Sequence, residues 1–152
     1  MPLNVAFVGR TYPAAQTYLV GREKIREFAT AIGETSPACH DVAAAQALGH
    51  PDLVAPATFA MVVTRDSQAA VFFDPELGLD WSRVVHGDQG FAYVRPLRAG
   101  DEVNVATTIE SIKSLAGNDV LGLRSDVTGL DGEPICRATS TLVVRAPDEV
   151  SA

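Results

Sequence analysis

"ATFAMVVTRDSQAAVFF", residues 57–73, is the stretch on which the fold turns. Its apolar side chains fall on nearly every side of a helix, and Arg65 and Asp66 are its only charged residues. Val62 and Val63 would suit a strand, but a run of this length exceeds the usual strand of about 3–10 residues. Pro56, just ahead, suits a first helical turn. The stretch therefore predicts a central helix from residue 57 to about 70, the most buried element of the chain, with Met61 and Val62 turned inward.

Upstream, "REKIREFATAIG" (22–33) places Ile25, Phe28, Ala29 and Ile32 at i, i+3, i+4 and i+7, one apolar helical face closed by Gly33. "DVAAAQALG" (41–49) starts at a candidate N-cap, Asp41, runs through good helix formers and stops at Gly49. The loop "GETSPACHD" (33–41) thus lies between two helices. From Ser82 onward the pattern becomes β: "SRVVHGDQGFAYVRPL", "DEVNVATTIESIKSL", "DVLGLRSDVTGL" and "EPICRATSTLVVRA" alternate β-branched or aromatic residues with polar ones. The separators "RAGD", "AGND" and "LDGE" favour short turns and an antiparallel meander, and "TYLV" (17–20) adds a short strand. Helices first and strands after define an α+β class. Long antiparallel strands wrapped around one central helix make the hot-dog arrangement. Residues 1–152 read as a single domain without repeat or linker, with a polar tail from about 147 to 152 expected to fray.

A chain of 152 residues, 47% hydrophobic and 20% charged, is long enough to bury its own core. Its net charge of −7 argues against nucleic acid and anionic membrane as partners, since both select clustered Lys and Arg. Residues 1–9 have neither a basic start nor a sustained apolar run, and no stretch reaches the ~18 apolar residues of a membrane span, so a cytoplasmic chain is expected. Cys39 and Cys136 lack metal-ligand spacing and a disulfide pattern, which predicts reduced thiols. No glycine-rich phosphate loop follows a strand, and Ser36, Ser67 and Ser140 lack a nucleophile elbow, so neither cofactor nor metal is expected.

The loop carries a more specific signal. Gly33, Pro37, Asp41, Ala45 and Gly49 fall into the register of a hydratase motif of the form Gly-Asp-x-Asn-Pro-Leu-His-x-Asp, followed by Ala four residues on and Gly four further. With "LVAPATF" opening the central helix and "HGDQGFAYVRPLRAGDEV" in the second half, the chain resembles the MaoC-like hot-dog family of (R)-specific enoyl-CoA hydratases and 3-hydroxyacyl dehydratases. The resemblance is to the N-terminal-domain branch, which includes non-catalytic subunits of actinobacterial fatty-acid dehydratases. It implies an acyl-CoA or acyl-carrier-protein thioester as substrate and no cofactor. In active members the motif's Asp and His position water and move the proton at the neighbouring carbon.

This chain departs from the pattern at both positions. Glu34 stands where the family has Asp, and Cys39 where it has His. A displaced carboxylate costs on the order of 10²-fold where geometry supplies the rate, and a lost general acid or base about 10²–10⁴-fold. His40 reaches the His position only if one inserted residue slips the register; on the start of a helix it is expected to point away from Cys39, toward solvent or an interface. His86 in "HGDQ" is the other fallback candidate. The backbone N–H of Ala57 is the candidate donor to a thioester carbonyl. Asp88 and Gln89 read as hairpin or dimer contacts, and Gly100 and Asp101 as turn geometry.

The resulting expectation is the non-catalytic or degenerate half of a hydratase/dehydratase, working with a catalytic hot-dog partner. The alternatives are a self-sufficient homodimer using Glu34 with His40 or His86, and an acyl-thioester binding module without turnover. A lone hot-dog sheet leaves a strand edge unpaired, so a homodimer or heterodimer joined edge to edge is expected. Arg10, Arg22, Arg83, Arg95 and Arg98 are candidates for substrate phosphates, without positional support from the sequence.

Overall fold

The structure, a computed structural model, describes residues 2–147. The tail expected to fray therefore lies, from residue 148 on, outside the described residues. In chain order the elements are β1 (Thr11–Pro13), β2 (Tyr18–Leu19), α1 (Arg22–Ala31), α2 (Val42–Ala47), α3 (Ala60–Val63), α4 (Arg65–Phe72), β3 (Val84–Tyr93), β4 (Glu102–Leu115), β5 (Asn118–Gly129) and β6 (Pro134–Val144). In β4, Val103, Val105, Thr107 and Ile109 are buried while the residues between them are not, the period-two mark of a strand with one face on a core. Leu121, Leu123, Ser125 and Val127 repeat the pattern in β5. In α1, Ile25 and Ala29 are buried and Phe28 meets Phe59 edge to face at 5.5 Å. Ile32, predicted on the same face, lies past the helix end and is half exposed. Gly33 follows with φ +73°, a left-handed geometry that glycine adopts without strain.

All strand pairs are antiparallel, in the order β1-β4-β5-β6-β3, with β2 also on β4. This is the hot-dog architecture, with the helical layer lying against one face of a curled sheet. Two of the three predicted turns close hairpins; between β4 and β5, Ala116 (φ 50°) and Gly117 (φ 80°) form a two-residue turn of the primed type that strand twist favours. The meander reading fails at "RAGD", because β3 crosses over to pair with β6 instead of β4. The reason is a pairing distant in sequence. The Ala55 N–H donates to the Leu97 carbonyl and the Ala99 N–H to that of Leu53, so the connection pairs with residues 53–55 rather than folding back. The Asp101 carboxylate holds this course by accepting from both Arg95 guanidinium nitrogens and from the Arg98 N–H.

The central helix differs from its prediction too. Residues 57–59 form a turn, and α3 and α4 meet at Thr64, whose hydroxyl donates to the Ala60 carbonyl at 2.9 Å, a back-bond that bends helices. The helix is amphipathic, since it packs against one concave face only. Phe59, Ala60, Val63 and Val71 are buried, whereas Met61 is 37% and Phe73 77% exposed, so Met61 does not turn inward. The residues that do turn inward include Thr64, Ser67 and Gln68. The Ser67 hydroxyl donates to the Thr64 carbonyl and lies 2.7 Å from that of Thr107, which lies 2.7 Å from Ser125; the Gln68 amide donates to Ser125 at 3.3 Å. This belt separates an upper apolar cluster around Phe59, Leu97 and Ile135 from a lower one around Leu77, Leu121 and Leu123.

Two substitutions test this packing. Phe59→Ala should cost about 3–5 kcal/mol and Met61→Ala under about 1 kcal/mol in urea unfolding, whereas a helix buried all round would make both costly.

Candidate functional site

The loop between α1 and α2 is fastened at both ends. The Glu34 N–H donates to the Ala29 carbonyl at 2.8 Å, and the Arg26 guanidinium donates to the His40 carbonyl at 2.9 Å. Pro37–Cys39 form a single tight helical turn, and Asp41 caps α2 by accepting from the Ala44 N–H. The Ala38 carbonyl accepts from the Val54 N–H, which pins the loop against the segment that leads into α3.

Glu34, Ser36 and Cys39 line a cleft of about 500 Å³ whose opposite walls are Val54–Ala57 and Tyr93–Pro96. The predicted dyad positions and the Ala57 backbone are thus brought together. The Glu34 carboxylate accepts from the Ser36 N–H at 2.8 Å. Among the described residues, the Ala57 N–H donates to no acceptor. Its carbonyl accepts from the Tyr93 hydroxyl at 2.6 Å. Burial and the neighbouring Cys136 push the Tyr93 phenol up, so it stays a donor. Cys39 is buried, and desolvation, followed by the Glu34 carboxylate, pushes its thiol up. Both cysteines are free, as the spacing predicted.

The two fallback histidines are not brought into this cleft. His40 does not point to solvent; its Nε2 lies 2.7 Å from the Glu34 backbone carbonyl, tying the loop to itself. His86 is exposed on β3 and sits 3.2 Å from the Gln89 side chain. Asp88 and Gln89 lie in mid-strand, next to a bulge, rather than in a hairpin. Tyr93 is a cleft residue that the sequence reading missed, and Arg95 one that it named only as a phosphate candidate without a position, because the crossover of β3 to β6, not any local pattern, brings them opposite the loop. No group of His, Cys, Asp or Glu among the described residues is arranged to hold a metal, and no helix among them is long and apolar enough to cross a membrane.

With the geometry in hand, comparison with known proteins gives the class. Residues 6–138 match the family model described as FAS1-like, dehydratase domain region. A UPF0336 protein of Streptomyces griseus is 56% identical over 149 residues, covering 98% of this chain and 99% of that one. A chain of the C-terminally truncated HadBC complex, a (3R)-hydroxyacyl-ACP dehydratase of Mycobacterium tuberculosis, superimposes with a TM-score of 0.82 at 33% identity, over 90% of this chain and 96% of that chain. A MaoC-like dehydratase gives 0.87 at 33% identity over 96% of this chain, which spans 44% of the longer protein. The chain belongs to the FAS1-like dehydratase-region family, and its fold is that of the MaoC-like hot-dog hydratases and dehydratases.

Burial, with the Glu34 carboxylate beside it, disfavours the Cys39 thiolate, the form in which a cysteine reacts. Because the fold raises its pKa, the proton is bound more tightly in the folded than in the unfolded chain; this contribution to stability is fully present below the ordinary thiol pKa and is lost as pH rises past it and through the raised folded value. Iodoacetamide at pH 8 should therefore label Cys39 at least about tenfold more slowly in the folded chain than in urea, followed by peptide mass spectrometry.

Proposed function

We propose that this chain is the non-catalytic half of an (R)-specific enoyl-thioester hydratase or 3-hydroxyacyl-thioester dehydratase of fatty-acid metabolism, completed by a hot-dog chain that carries an intact Asp/His pair. The observation that carries the reading is the cleft. Its walls, the loop backbone and the Ala57 N–H are in place, while the two positions that must handle water and proton hold a Glu turned onto its own loop and a neutral, buried thiol. Hydration adds a hydroxyl to C3 and a proton to C2 of the enoyl thioester. A neutral thiol is a poor group to lead that exchange. The self-sufficient homodimer is disfavoured, because His40 is committed to the Glu34 carbonyl and His86 lies outside the cleft.

The sheet itself supports a partner. Its β1/β2 edge is blunted by strands of three and two residues and by Pro13, whereas β3 leaves one side of ten residues unpaired at the other edge. That edge runs into Tyr93, so a chain added along β3 would stand beside the cleft. One chain of the HadBC complex is similar to this one, which supports a second chain as partner.

Purified alone, the chain should hydrate crotonyl-CoA at least about 10²-fold more slowly than when co-purified with its hot-dog partner. Ordinary turnover by the isolated chain that survives Glu34→Ala and Cys39→Ala would overturn the reading; absence of turnover in any complex would favour the binding module. Replacing both positions, Glu34→Asp with Cys39→His, should raise activity beyond the sum of the single changes, since both groups act on one transition state.

On the pairing, Gln89→Pro should weaken association in analytical ultracentrifugation by removing an edge N–H: the Val94-to-Ile135 hydrogen bond sets the ladder's alternation, which turns the N–H of Gln89, opposite Ser140, away from β6. Unchanged association would place the interface elsewhere.

A further inference from the structure

Of the twelve Lys and Arg residues, most are already neutralised by a carboxylate. Arg10 pairs with Asp74, Arg22 with Asp52 and Arg83 with Asp80. Arg95, although it lines the cleft, is held at 2.9 and 3.0 Å by Asp101. Arg98 differs from these. No carboxylate lies within 4.0 Å of its side chain among the described residues, and the nearest one in sequence, Asp101, is occupied by Arg95 and by the Arg98 backbone N–H.

Its position follows from pairing. Val54 and Arg98 form an isolated antiparallel bridge, flanked by the Ala55-to-Leu97 and Ala99-to-Leu53 hydrogen bonds. They therefore oppose each other as a non-hydrogen-bonded pair, in which Cα atoms approach to about 4.5 Å and side chains leave on the same face. The neighbours Leu53, Ala55 and Leu97 are buried, so that shared face is the outer one. Val54 lines the cleft at one end of the wall whose other end is Ala57. Three residues of extended chain cover up to about 10 Å. The free guanidinium thus stands at the rim, and the unused Ala57 N–H stands inside.

Resting on the reading that the cleft takes an acyl thioester, we propose that Arg98 binds the phosphate of the pantetheine arm that delivers it. The arm's thioester would lie at Ala57 and its phosphate at the rim. A guanidinium offers a phosphate two parallel donors and a full charge, in a chain whose net charge of −7 would otherwise repel it. The phosphate is common to coenzyme A and to a carrier protein's prosthetic group.

Calorimetric titration of the full chain separates the outcomes. The probes are S-butyryl-pantetheine, S-butyryl-4′-phosphopantetheine and butyryl-CoA, all saturated and so inert to hydration. The phosphorylated arm should bind about tenfold tighter than the unphosphorylated one at low salt. Arg98→Gln should abolish that preference while leaving S-butyryl-pantetheine affinity unchanged, and Arg98→Lys should retain part of it. An equal gain with butyryl-CoA is expected, because the arm carries the contact. A gain confined to butyryl-CoA, a preference that survives Arg98→Gln, or no preference in a chain that still binds the thioester would each overturn the assignment. Failure of the unaltered chain to bind any of the three would instead overturn the thioester reading, and Arg98's role with it.

Discussion

The buried hydroxyl belt joining the central helix to the sheet is the constraint on which the rest of the structure hangs. Thr64, Ser67 and Gln68 on one side and Thr107 and Ser125 on the other satisfy one another, and no buried side-chain polar atom among the described residues lacks a partner. Such a chain fixes rotation and register at once. A slip of the helix by one residue, or of β4 against β5 by one pair, would bury unpartnered hydroxyls as well as misplace a core. Apolar packing alone tolerates sliding far better. With α4 fixed this way, α3 and the turn before it are fixed, and so is the Ala57 wall of the cleft.

This belt also explains what the sequence made legible and what it did not. The four long strands are written in alternation, and the loop between α1 and α2 in its glycine, proline and cap residues; these are local signals, and they survive folding. The inward face of residues 57–73 is not local. Met61 looks more like a core residue than Ser67 does, and only the presence of Thr107 and Ser125 opposite makes the serine the better inward choice. The crossover of β3 is hidden for a similar reason. "RAGD" is good turn chemistry, and what diverts it is a pairing with residues 53–55, some forty positions away in the chain.

At the candidate site, the positions of Glu34 and Cys39 were readable because a motif register carries them, and that of Ala57 because it opens the segment of the central helix. The places of Tyr93 and Arg95 were not, since these residues sit at and just past the end of a strand whose course depends on that crossover. Charge shows the same limit. Five arginines were equivalent in the sequence; carboxylates close to four of them in space make them structural and, among the described residues, leave one uncommitted. Composition states how much charge a chain has, and only tertiary structure states which of it is spent.

The open edge of β3 has a further consequence. Ten residues of backbone, carrying exposed Val85 and preceded by exposed Trp81, form a template to which a free strand can add, its own nascent copies included. Only the bulge near Asp88 interrupts it. On the proposed two-chain reading, the ratio of its synthesis to that of the chain covering the edge would govern solubility. An excess made without its cover would be exposed to proteases and aggregation, so gene dosage would become a structural parameter.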